Sequence, residues 1–110
     1  MILLKLEQTL VLITEETYRS TAPEGTEPPY LVFDDDGQSD GLYGDGKMVK
    51  QGIEGTIDLF TKTEDDPLFD LVQKKLNDAG IGFRYNSKQY EEGTGITHYE
   101  WIWNIIRSVE

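Results

Sequence analysis

The 110-residue chain carries 21 acidic and 10 basic side chains, a formal charge of −11, and it has no cysteine. That balance repels nucleic-acid phosphate and argues against a nucleic-acid-binding face, while the missing thiols remove disulfides, thiolate chemistry and cysteine-ligated zinc. The length suits one domain, 1–110, and 37% hydrophobic residues can pack a core beneath a strongly polar surface.

From Met1 to Ile13 the chain is apolar, but Lys5 and Glu7 interrupt a run too short to span a bilayer, and no signal-peptide pattern follows. No membrane partner is expected. Leu3, Leu6, Leu10 and Ile13 recur at helical spacing, which predicts a helix with its stripe on the core; Val11 to Ile13 reads equally well as strand. The other reading of this helix is an exposed element through which subunits associate. Tyr18 to Ser20 reads as a short strand, and Thr21 to Pro29, with Pro23, Pro28, Pro29 and Gly25, as a loop. Tyr30 to Asp34 is the next strand. From Asp34 to Lys47 there are five aspartates and four glycines, which predicts a long mobile loop.

Gln51 to Phe60 reads as a half-buried strand, with Ile53, Ile57 and Leu59 on one face and Glu54, Thr56 and Asp58 on the other. A helix over Asp66 to Gly80 has well-marked ends. Asp66 can accept the first-turn N–H groups, Pro67 loses nothing at the first helical position, and Gly80 can adopt the left-handed closing conformation. Leu68, Leu71, Val72, Leu76 and Ala79 form its apolar stripe. Ile81, Phe83 and Tyr85 open a strand that can extend to Tyr90, Glu91 to Ile96 reads as a hairpin connection, and Thr97 to Arg107 is the last strand. Its alternation puts Tyr99, Trp101, Trp103 and Ile105 on one face and His98, Glu100, Ile102, Asn104 and Ile106 on the other. Strands joined by tight turns, without βαβ repetition, predict an α+β domain: an antiparallel sheet of about four strands, two helices on one face, and the acidic loop.

Candidate chemistry is sparse. Gly41, Gly46 and Lys47 have the spacing that opens a phosphate-binding loop, but Met48 stands where the metal-binding hydroxyl belongs, no helix follows, and aspartates surround it. Asp34, Asp35, Asp36, Asp40 and Asp45 offer the oxygens calcium prefers; a calcium loop started at Asp36 ends on Lys47, where a bidentate glutamate is needed. His98 has no serine elbow, second histidine or paired-carboxylate motif near it in sequence, so it reads as a surface strand histidine. Trp101 and Trp103 could form a stacking platform for a sugar or base, though aromatics two apart on a strand more often fill a core. Neither enzymatic function nor a cofactor or metal is expected.

The run Tyr18-Arg19-Ser20-Thr21-Ala22-Pro23-Glu24-Gly25-Thr26, leading through Pro28-Pro29 to Tyr30-Leu31-Val32-Phe33, resembles the entry segment of tail-completion proteins of long-tailed bacteriophages, which include tail terminators and head-to-tail joining proteins. The family pattern continues with a variable loop, a strand resembling Gly55 to Phe60, a helix, and closing strands that end in an alternation like Tyr99 to Ile105. The resemblance implies an α+β fold, a homo-oligomeric ring (commonly six copies) at the head-proximal end of the tail tube in the virion, tail-tube and head-connector proteins as partners, and no catalysis. Six copies of the chain carry about −66, which suits an opening through which DNA must slide. Partner contacts are expected on the acidic segment, at Asp35, Asp36, Asp40, Leu42, Tyr43, Asp45 and Lys47. The alternatives are a head-side connector or stopper subunit, a monomeric acidic domain acting as an inhibitor or decoy for a nucleic-acid-binding protein, and a small hydrolase or nucleotide-binding enzyme.

Overall fold

The computed structural model describes residues 2–109, which run as α1 (Ile2–Val11), β1 (Thr17–Arg19), β2 (Tyr30–Gly44), β3 (Lys47–Thr61), α2 (Leu68–Asp78), β4 (Gly82–Glu91) and β5 (Ile96–Ser108). Met1, where the apolar opening begins, lies outside the described residues. The strands make one sheet in the order β1-β2-β3-β5-β4. The class is α+β, with five strands where about four were expected. The sheet is mixed, because the loop after β1 carries the chain back far enough for Thr17–Arg19 to run parallel to Leu31–Phe33. The other neighbouring pairs are antiparallel.

Both helices cover one face of this sheet. Leu3, Leu6 and Leu10 of α1 and Val72 and Leu76 of α2 share a core with Leu31, Phe33, Ile57, Leu59, Tyr99, Trp101 and Trp103. The two indoles are fully buried, and burial of an N–H requires a partner. The Trp101 N–H donates to Gln73 Oε1 (3.1 Å), and the Trp103 N–H is shared between the carbonyls of Asp34 (3.1 Å) and Thr56 (3.2 Å). These tryptophans therefore belong to the core and not to a stacking platform. Phe69, absent from the stripe read in the sequence, packs its ring about 5 Å from those of Tyr85, Tyr99 and Trp101.

The ends of α2 follow from its flanking residues. Asp66 Oδ1 accepts the N–H of Leu68 (2.9 Å), and Oδ2 accepts the hydroxyl of buried Thr61 (2.6 Å). At the other end Gly80 has φ of +71°, its N–H reaches the Asn77 carbonyl, and the N–H of Ile81 returns to the Leu76 carbonyl (2.9 Å). That pair of bonds is the left-handed closure glycine permits, and it delivers Ile81 into the core.

The segment from Asp34 to Lys47 is no mobile loop. β2 and β3 pair along their whole length from Tyr30↔Phe60 to Gly44↔Lys47, with three bulges, forming a hairpin closed by Asp45 and Gly46. Both turn residues have positive φ, +54° and +74°, as a two-residue turn matched to strand twist requires. Composition disfavours strand here, but each β3 residue from Lys50 onward is also held by β5. Bulges at Asp36 and Ser39 of β2 and Val49 of β3 absorb the mismatch in register. The hairpin contributes to an elongated shape with extents of 54 × 24 × 23 Å.

Candidate functional site

Two surfaces carry the unexplained polar residues: the β2–β3 arm and the sheet face away from the helices. Pairing of β5 with β3 ends at Lys50↔Ser108, with one further bond from the Val109 N–H to the Val49 carbonyl (3.0 Å), so the arm's tip from Tyr43 to Met48 consists of two strands alone. β1 covers β2 only at Leu31–Phe33, which leaves β2 from Asp34 outward as a sheet edge. Aspartates and bulges along such an edge repel or misalign an incoming strand, so the acidic composition has a reason apart from disorder.

The seven residues expected to contact partners all lie on this arm, fixed in register. Asp35 sits 3.4 Å from Arg19 in a solvent-exposed ion pair, Asp36 is the bulged residue, and Asp40 accepts the N–H of Gly41 (2.8 Å). Leu42 and Tyr43 expose large apolar surface near the tip, Asp45 makes the turn, and Lys47 opens β3. The structure places these seven along one hairpin, with Asp35, Asp36, Asp40 and Leu42 on the β2 edge where β5 backs β3, and Tyr43, Asp45 and Lys47 at the two-stranded tip. The phosphate-loop and calcium-loop spacings are dissolved by it, because Gly41 to Lys47 is extended ribbon and turn, not a loop coiled around an ion.

On the open sheet face, aligned positions of three strands stack their rings. Tyr30, Phe60 and His98 are cross-strand partners, with centroids 4.8 Å apart for Tyr30–Phe60 and 4.3 Å for Phe60–His98. Tyr18 adds an edge contact to Tyr30 at 6.4 Å. Burial of Tyr30 raises its phenol pKa above the ordinary 10.0, and a hydrogen bond to the Glu16 carboxylate raises that of Tyr18. In the adjacent row Asp58 of β3 stands directly opposite Glu100 of β5. His98 Nε2–H donates to Asp58 Oδ1 at 2.6 Å, and Glu100 Oε1 accepts from Asn86 Nδ2 at 2.7 Å. Asp58, His98 and Glu100 are all half-buried, and one ligand atom from each lies within 4.8 Å of the others. They border an open cleft of about 560 Å³ whose outer wall is the Ser20–Thr26 loop.

In the sequence His98 reads as an isolated surface strand residue. Its partner Asp58 is 40 positions away, and only the β3–β5 register joins them. The legible signal was partial: His98 and Glu100 fall on one face of β5, and Asp58 on the outer face of β3.

No protein-family model matches the chain. No curated protein sequence matches it either. Among solved structures, the fold is similar to a chain in the virion of a native gene transfer agent particle, with a TM-score of 0.63 at 11% identity, over 97% of this chain and 91% of that one. A second chain, from a structure concerned with the mechanism of H-NOX activation, aligns over 96% of this chain and 45% of its own length, with 11% identity and a TM-score of 0.41. The first likeness establishes a shared fold along nearly the whole length of both chains.

Proposed function

We propose that this chain is a structural subunit of a phage-like virion, and more specifically a ring-forming tail-terminator or head-to-tail joining subunit at the head-proximal end of the tail tube. The observation that carries the reading is the end-to-end likeness to a virion chain. The finer assignment draws on the sequence resemblance at Tyr18–Phe33 and on the projecting β2–β3 arm. An ordered arm reaching past its own sheet, acidic along its edge and apolar at Leu42 and Tyr43, suits contact with a neighbouring subunit or with tail-tube and connector proteins. The role requires shape and docking, with no catalysis.

Electron microscopy of particles lacking the protein tests the assignment. Overlong or headless tails are expected for a terminator or joining subunit, full heads without tails point to a head-side connector, and normal particles refute a structural role. A second test removes the arm alone. Replacing Leu42–Lys50 by a two-residue Asn-Gly turn keeps the register of Gly41 with Gln51 and most of the β3–β5 ladder. The shortened protein should melt within about 5 °C of the parent, since an isolated two-stranded tip adds little stability, yet fail to assemble. Normal assembly would deprive the arm of its role.

A further inference from the structure

The geometry points to a divalent transition-metal site, of the kind zinc occupies, formed by Asp58, His98 and Glu100 on the open sheet face. The inference is independent of the assembly role. One imidazole nitrogen and two carboxylates are a donor set suited to a borderline cation, and three protein ligands leave the fourth position open toward the cleft beneath the Ser20–Thr26 loop. Zinc bonds of about 2.0–2.2 Å place tetrahedral ligand atoms about 3.4 Å apart. The three side chains already hold theirs within 4.8 Å, and His98 Nε2 and Asp58 Oδ1 need only part from 2.6 Å. Small side-chain rotations therefore complete the site without moving a strand.

Electrostatics favour the same conclusion. Asp58 and Glu100 are like charges directly opposite in an antiparallel ladder, an arrangement that costs stability unless something lies between them. Among the described residues lining the cleft there is no lysine or arginine, and Glu24 adds a further carboxylate. A dication neutralises the pair. The supporting contacts also fit: Asn86 holds Glu100 by a 2.7 Å hydrogen bond and is itself held by Arg84, while Phe60, stacked on His98, fixes the ring plane.

The test titrates zinc into chelator-treated full-length protein, followed by calorimetry and by proton NMR of the imidazole, which belongs to the chain's single histidine. One zinc per chain should bind, with a shift of the ring signals. His98→Gln and Glu100→Gln should each weaken binding at least tenfold, and Asn86→Ala about tenfold. Because Glu100→Gln removes the like-charge pair, it should melt without zinc no lower than the parent, which separates a lost ligand from a lost fold. Absence of uptake at tenfold molar excess, uptake that leaves the ring signals unmoved, or unchanged affinity in Glu100→Gln would each overturn the site. So would binding abolished by Asp36→Asn with Asp40→Asn, which moves the ion to the arm.

Discussion

Gly55→Ala is a single added methyl group with a large expected effect. Gly55 is buried on β3, opposite Asp35 and Trp103, where the β2 backbone bends at the Asp36 bulge. A Cβ at this position would lie 2.7 Å from Asp35 Cα and 2.8 Å from the Asp34 carbonyl carbon, and closer still to the Asp34 oxygen. These are backbone atoms, so no side-chain rotation relieves the overlap. β2 must move, and with it the Asp34 carbonyl that accepts the Trp103 N–H. Overpacking of this kind costs about 1–3 kcal/mol, and weakening the bond of a fully buried indole N–H adds about 1–2 kcal/mol. The sum is a large share of the roughly 5–15 kcal/mol that holds a domain folded. At about 4 °C per kcal/mol for a chain of this size, Tm should fall by about 8–20 °C. Thermal unfolding followed by circular dichroism and tryptophan fluorescence reads both the loss and the disturbed indole. Gly93→Ala, in the β4–β5 turn with open space around it, is the control and should be within about 0.5 kcal/mol of the parent. A Gly55→Ala protein that melts within about 3 °C of the parent would refute the close approach of β2.

Val72→Asp should abolish folding, because an unpaired carboxylate in the fully buried core costs several kcal/mol; Leu71→Asp, at a half-buried position of the same helix, should be the milder of the two, and the reverse order in denaturant titrations would mean that the buried face of α2 is wrongly assigned. Asp66→Ala removes both the acceptor for the Leu68 N–H and the partner of buried Thr61, so unfolding in urea should show a loss of about 2–3 kcal/mol. Restoring much of that loss with Asp66→Asn would identify the cap as the cause, whereas no loss in the alanine variant would exclude it.

Much of the fold is legible in local pattern. Asp66, Pro67 and Gly80 mark the ends of α2 because capping is decided by residues within one turn of the helix end. The alternation of Tyr99, Trp101 and Trp103 predicts their burial because a strand's period of two sorts its faces whatever lies beside it. On the arm, composition and turn chemistry point in opposite directions. Asp45-Gly46 is a strong hairpin signal, but five aspartates pointed to disorder, and the support that β5 gives to β3 comes from residues far along the chain.

By itself the sequence determined which residues are apolar, where α2 starts and stops, and which sides of β3 and β5 are wet, since these depend on neighbours a few positions apart. Tertiary structure alone decided that the acidic run is an ordered arm, that Gly55 lies under the β2 bulge, and that Asp58, His98 and Glu100 meet. Each of these depends on strand register, and register is set by the packing of the whole sheet against its helices.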